Sequence, residues 1–498
     1  YTLSLHDALP IFMVENSGDS AAAARASSYR RAVGRNVVHP AGSVAIVGLN
    51  DEATPLAKAG IDAFFRPEPW MGISVSFDSY AATREVGDEI LIPGTYSPYP
   101  DMVNDNSFVG SYQILQNWNS LASFGSGRLY FQTGLSRGSY GPFFENGTVY
   151  GPQAGHAGHF SFVYRGERWS ASVLHLALTA SDQFYDGQRD KYNWYPNKHM
   201  VLHSFDFMVL PGLELGFFES VVYGDRLELM YLAPFNFLFQ AQGVSGFLDN
   251  SYLGLNVSWL LQPGLKLSGQ VYIDDLSFNS LSKLDFDTKY KFSGQIGLAL
   301  VPKSGILESL HADYTAIMPY MYTHNWNLEP DDNDPVNIDT GRKPVYSNYL
   351  HMGQPLGTEL LPNSDRLSLR TSWRLLSGLR LHLGGELLHH GNASSNYNNP
   401  ERPDTFANDG GYLDDGRDDD GRATFNTKTR FLTQDVIETL ARVSQGVEIR
   451  IPTAAGTFGL NADCLVEFGW NRTRVGEGPV AGNDSVLVYY TIGASWRY

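Results

Sequence analysis

The sequence predicts an all-β chain closed into a transmembrane antiparallel up-and-down β-barrel of about 16–18 strands. Three observations carry that expectation. The last thirteen residues, VLVYYTIGASWRY, place Val486, Val488, Tyr490, Ile492, Ala494, Trp496 and Tyr498 on one face at period two, with Leu487, Tyr489, Thr491, Gly493, Ser495 and Arg497 on the other. Hairpins of the same two-faced design recur along the chain. The connections between them also sort by length, short turns alternating with long loops, as in outer-membrane barrels.

The clearest hairpin runs Leu253, Leu255, Val257, Trp259, Leu261, turns at Gln262-Pro263-Gly264, and resumes on the same face at Leu265, Leu267, Gly269, Val271 and Ile273. A second copy runs Leu367 to Leu375, turns at Ser377-Gly378, and resumes from Leu379 to Leu387. Its opposite face carries Arg370, Arg374, Arg380, His382 and Glu386, charges that belong in a hydrated lumen rather than in lipid. Further turns fall at Leu210-Pro211-Gly212, Pro302 to Gly305 and Ala454 to Gly456, and alternation is longest from Phe458 through Cys464 to Trp470. Met71 to Asp78 and Leu129 to Ser136 repeat the pattern. Long connections fall at about Thr179 to Lys198, Gly224 to Asn250, Pro319 to Ser364 and His390 to Thr427. Trp169, Trp259, Trp373 and Trp496 all sit beside short turns or the C-terminus, so they would form a girdle at one membrane interface.

Composition agrees. The 498 residues are 43% hydrophobic, 13% aromatic and only 18% charged, with 50 Gly, which suits many turns and apolar residues spread thinly along strands. No stretch approaches the roughly 20 apolar residues of a membrane-spanning helix, which leaves a barrel open because its strands alternate. A net charge of −17 argues against nucleic acid as a partner. The single cysteine, Cys464, permits no intrachain disulfide and falls on an apolar face.

Residues 1–12, beginning YTLSLHDALPI, resemble the in-frame translation of a sequencing adapter and are set aside as an artefact. Residues 13–66 are expected to be a periplasmic or disordered N-terminal segment, and residues 67–498 the barrel. Absence of a signal peptide in such a chain says nothing about compartment.

No nucleophile elbow, zinc-protease, phosphate-loop or dinucleotide motif occurs in a suitable context, so the chain reads as a non-enzyme without a cofactor. His389-His390 ends a strand, where neighbouring side chains point to opposite faces, and His156 and His159 lack a third ligand type nearby, so no metal site is expected. The acidic loops around Asp414 to Asp420 and Glu329 to Asp334 read as solvated, with Ca²⁺ binding as the alternative. Aromatics in the long loops are more suggestive: Phe184, Tyr185, Tyr192, Trp194 and Tyr195 in one, and Tyr320, Tyr322 and Trp326 in another. Either they stack beneath sugar rings, with Tyr192, Trp194, Tyr195, Tyr322 and Trp326 as the candidates, or the loops fold inward and pack as a cap.

The stretch HSFDFMVLPGLELGFFESVVYG, followed by MYLAPFNFLF and FLDNSYLGLNVSWLLQPGLKLSGQVYIDDL, resembles the Wzi family of capsule-assembly outer-membrane proteins. The resemblance rests on His203 with Phe205-Asp206, Glu214, Glu219-Ser220 before Tyr223-Gly224, Pro234-Phe235, Asp249-Asn250 and Asp274-Asp275. It implies an 18-stranded barrel whose outer loops hold surface polysaccharide to the cell as a lectin. No individual sugar contact carries over, and the family's N-terminal helices are not visible. Two classes of function therefore stand, a polysaccharide anchor and a porin or solute channel. The expected partners are outer-membrane lipid, the barrel assembly machinery acting on the C-terminal strand, and surface polysaccharide, in a bacterial outer membrane.

Overall fold

The computed structural model describes residues 36–68, 70–83, 91–93, 107–126, 128–143, 146–181, 194–234, 236–244, 249–276, 290–323, 345–391, 431–474 and 478–498. Eighteen antiparallel strands form its wall: β1 (Val37–Leu49), β2 (Glu52–Glu68), β3 (Met71–Ala82), β4 (Tyr112–Ser126), β5 (Leu129–Ser136), β6 (Ala157–Arg165), β7 (Trp169–Ser181), β8 (Trp194–Leu210), β9 (Leu213–Gly224), β10 (Asn250–Gln262), β11 (Leu265–Leu276), β12 (Tyr290–Leu300), β13 (Leu307–Ile317), β14 (Ser364–Leu376), β15 (Leu379–Gly391), β16 (Ile437–Thr453), β17 (Gly456–Trp470) and β18 (Ser485–Arg497). Each pairs with its sequence neighbour. The last closes on the first, with Ala41 opposite Arg497 and Leu49 opposite Tyr489.

Alternation decides which way each side chain points. On β10, Leu255, Trp259 and Leu261 are exposed on the outer wall, while Tyr252, on the opposite phase, is buried inside. On β17, Phe458, Leu460, Phe468 and Trp470 face out, and the half-buried Cys464 shares their phase. This belt of exposed apolar residues is the lipid-facing surface of an outer-membrane barrel, as the sequence predicted.

The N-terminal boundary is corrected. The barrel starts at Val37 and not at 67, because β1 and β2 form a hairpin paired over its whole length, from Val37 opposite Phe64 to Leu49 opposite Glu52. Its outer face mixes Val44, Ile46 and Ile61 with Gly42, Ala57 and Ala59, so the hydrophobic contrast that reveals a strand in sequence is weak there. Residues 13–35 lie outside the described residues.

Both barrel termini and all eight tight connections, from Trp70 between β2 and β3 to Ala455 between β16 and β17, lie at one end. Trp70, Trp169 and Trp259 are exposed there, with Trp373 and Trp496 half-buried at the same level, completing the expected girdle with one additional member. The opposite end carries every long connection, and only the turn at Asn50-Asp51 is short.

Two of the long connections fold inward. Residues 137–143 and 146–156 of one, and 318–323 and 345–363 of the other, contribute Tyr140, Val149, Tyr150, Met321, Tyr322, Tyr349, Leu350 and Leu356 to a core shared with the inner faces of β7 to β11. A third takes the opposite course. Residues 226–244, with a 3₁₀ turn at Leu229–Leu232 and a short helix α1 (Leu238–Val244), lie against the outside of β7, β8 and β9. There Tyr231, Leu238 and Ala241 cover Val173, Val201, Val221 and Tyr223, which share the outward phase of the exposed Phe207, Leu215 and Phe217. This clasp hides an outward-facing polar pair, His203 and Glu219, 3.7 Å apart and almost wholly buried. Polar groups left facing hydrocarbon without partners are costly, so covering the pair stabilises the wall.

Candidate functional site: a plugged lumen

The upper lumen holds the two inward loops, locked to each other and to the wall. The Tyr349 hydroxyl donates to the Val149 carbonyl at 2.6 Å, and Tyr322 donates to the Thr148 carbonyl at 2.7 Å. Both phenols belong to one loop and both carbonyls to the other. Tyr322 and Tyr349 stack with ring centroids 5.2 Å apart, and Tyr349 also packs on Tyr252 and Tyr272, which stack on each other at 4.8 Å. Loop 137–156 crosses to strands far around the wall: Asn256 Nδ2 donates to Tyr140 Oη at 3.1 Å, Thr148 Oγ1 to Gln270 Oε1 at 3.0 Å, and Gln295 Nε2 to the Asn146 carbonyl at 2.6 Å. Gly141, at φ 102°, passes so close to Gln270 that a Cβ there would collide with its amide.

Buried lysines hold the second loop. Lys198 Nζ donates to the Asn348 carbonyl at 2.7 Å and to Asn348 Oδ1 at 2.5 Å, and Lys291 Nζ to the Thr323 carbonyl at 2.7 Å. His351 joins the loops, its ring lying 2.9 Å from the His156 carbonyl. Burial raises the pKa of the Tyr140, Tyr322 and Tyr349 phenols above the ordinary tyrosine value, so the plug holds them neutral.

The lumen charges named from sequence do face inward, and each has a partner. Arg380 bonds Glu308 at 2.8 Å and lies 3.4 Å from Glu448; Arg374 bonds the same Glu308. Arg374 and Arg380 are directly opposed in register, so the shared carboxylate relieves their repulsion. Glu386 lies 3.3 Å from Arg442, which bonds Glu467 at 2.5 Å, and Arg472 bonds Glu467 at 2.6 Å. Arg370 lies 3.6 Å from Asp313. The sequence reading misses the partners Glu308, Asp313, Arg442, Glu448 and Glu467; the last four sit on the inward phase of their strands and are findable by it, whereas Glu308 has the parity of the outward Tyr314 and turns inward at the bulge between Leu307 and Ser309.

Below the plug is a cavity of about 590 Å³, roofed by Pro142 and Phe143 and walled by Lys266, His311, Asp313 and Arg370. Small inward residues at Ser268, Gly297, Gly384 and Ser444 make the space. Asp313 Oδ2 accepts from Ser368 at 2.6 Å, while its buried Oδ1 has no partner among the described residues.

The aromatic candidates divide. Tyr322 is 1% exposed inside the plug, so it offers no face to the outer surface. Trp194 and Tyr195 are the first residues of β8, half-buried and paired with Ser181 and Ala180, and so belong to the wall's rim. Tyr192 and Trp326 lie outside the described residues, as do Phe184, Tyr185 and both acidic loops. His389 and His390 point to opposite faces, His389 bonding Asp365 at 2.7 Å and His390 bonding Ser364 at 2.9 Å. Among the described residues no group of three His, Cys, Asp or Glu could hold a metal ion.

An 18-stranded antiparallel barrel with an apolar outer belt, an aromatic girdle and polar inward charges is a bacterial outer-membrane protein. Among solved structures it is similar to Wzi of Escherichia coli, an outer-membrane protein involved in group 1 capsule assembly and reported as a carbohydrate-binding β-barrel. That match has a TM-score of 0.52 at 13% identity and covers 94% of this chain and 86% of that one. OccAB2 of Acinetobacter baumannii matches with a TM-score of 0.49 at 9% identity, covering 94% and 98%. OprD of Pseudomonas aeruginosa matches with 0.43 at 9% identity, covering 93% of each chain. At these identities the likeness is one of fold. No sequence-family model matches the chain, and no curated protein matches it.

Proposed function

We propose that this protein binds surface polysaccharide and anchors it to the outer membrane, as a lectin-like barrel of the capsule-assembly kind without catalysis. The observation that carries the reading is the plug. Tyr322 and Tyr349 lock two inward loops together across the lumen, and the wall charges are spent on one another, which suits a platform better than a passage. A wide pore needs an unobstructed path and charges free to meet the solute. The E. coli barrel's carbohydrate binding and the resemblance of residues 200–276 to its family support the same reading. The glycan would be held by the long connections at the plugged end, through aromatic faces such as Tyr192, Trp194, Tyr195 and Trp326, and the closing strand would be the element read by the assembly machinery.

The test is deletion of the gene in the source cell, with cell-bound and shed polysaccharide assayed separately. Anchoring predicts that polymer moves from the bound to the shed fraction. Unchanged retention sinks it. The second reading, a porin or solute channel, is favoured by the cavity at Asp313 and Arg370, and planar-bilayer recording separates the two: large, steady openings of the purified protein would support transport.

A further inference from the structure

We propose that residues 226–244 are an in-plane membrane anchor, a loop folded down the outside of the barrel so that its outer face sits among the acyl chains of the outer leaflet. The loop would lie there whatever the other long connections hold.

Height is the first argument. His203 lies four residues above Phe207, which is paired with the girdle residue Trp169, and Glu219 lies six above Leu213, paired with Trp259. At about 3.3 Å per residue and a tilt near 40°, the pair stands roughly 10–15 Å above the girdle, within an apolar band about 25 Å tall. The segment that covers the pair reaches the same depth. Its outward residues continue the apolar belt: Leu229 is 69% exposed, Val244 76%, and Leu227, Phe237 and Phe239 are exposed beside them.

The loop's own polar groups point the same way. Irregular chain survives in hydrocarbon only when its polar groups are satisfied from within. Here they are. Both His203 ring nitrogens meet carbonyls, Nε2 that of Tyr231 at 2.9 Å and Nδ1 that of Asn236 at 3.2 Å, and Glu219 Oε1 accepts from the Leu238 N–H at 2.9 Å. Asn236 Nδ2 donates to the Met230 carbonyl at 2.9 Å, and Gln242 Nε2 to that of Asp249. Glu219 Oε1 lies 3.7 Å from His203 Nδ1, so the two polar side chains also face each other beneath the loop. A loop bathed in water has no need of such accounting, whereas one facing acyl chains does.

The experiment uses the full chain in phosphatidylcholine bilayers on a Cys464→Ala background, with nitroxide labels on Leu229→Cys, Phe239→Cys or Val244→Cys. Leu255→Cys serves as the lipid-facing reference and Ser304→Cys as the aqueous one. The clasp labels should collide several-fold more with oxygen than with a water-soluble nickel chelate, matching the Leu255 site. Accessibility matching the Ser304 site overturns the proposal. Adding Glu219→Ala should mobilise the Leu229 label and move it toward nickel accessibility, with the Leu255 label unchanged. A Leu229 label that stays immobile and oxygen-accessible overturns the pair's part in it.

Discussion

The Tyr349 hydroxyl and the Val149 carbonyl, 200 residues apart in sequence, meet at 2.6 Å inside the barrel and join two loops that enter from the same end. Removing one donor leaves a buried carbonyl unsatisfied, at about 1–3 kcal/mol. Tyr349→Phe with Tyr322→Phe removes two such donors without opening much space. The double variant should fold, show the same heat-modifiable mobility, and flicker open in planar bilayers where the parent is nearly silent. Equal conductance of the two would show that the plug does not depend on these bonds.

The same phenols set an alkaline limit. Their folded pKa values are raised by burial above the unfolded value of about 10, so the neutral form is the one the plug stabilises. That contribution is complete below pH 10 and is lost as pH rises through the folded values. Spectrophotometric titration should therefore find a set of tyrosines that resist ionisation near pH 10, with plug opening accompanying their delayed ionisation. The Tyr349→Phe and Tyr322→Phe variant should shrink that set.

Arg442 joins Glu386 and Glu467 across three adjacent strands. Arg442→Ala strands the Glu467 carboxylate, only 3% exposed, with Arg472 as its remaining partner, and should destabilise the barrel by about 3–5 kcal/mol. Thermal or urea unfolding followed by gel mobility measures the loss. Glu467→Gln in the same chain should recover a large part of it, which a purely steric role for the arginine would not predict.

At the seam, the Tyr498 N–H donates to the Pro40 carbonyl at 3.1 Å, and the Tyr498 carbonyl lies 2.6 Å from His39 Nδ1. Deleting Tyr498 removes both contacts while leaving the ladder from Ala41 to Leu49 intact. Folded yield should fall in cells more than in refolding from urea into detergent. Equal losses in both would assign the residue to stability alone, and no loss would leave it without a role in closure.

Reading the chain by phase went furthest where each strand announced itself. Arg370, Arg374, Arg380 and Glu386 were placed inward because their neighbours Leu369, Leu375, Leu381 and Leu387 are outward, a relation settled within a few residues. The hairpin at Val37 to Glu68 escaped because Gly42, Ala57 and Ala59 give little contrast. His203 and Glu219 carry the outward phase of lipid-facing residues, yet nothing local says that residues 226–244 return to cover them.

By itself, then, the sequence determined a two-faced barrel, its membrane setting, the end at which its short turns lie and the inward direction of its charges. All of these follow from a period of two and the solvents on either side of a wall. Only the tertiary structure decided that Tyr322 packs inside the lumen and not on the outer surface, that the arginines are matched by Glu308, Asp313, Glu448 and Glu467, and that one loop clasps the outside. Those outcomes depend on which distant polar groups come within hydrogen-bond or ion-pair reach of one another, and spacing along the chain does not carry that information.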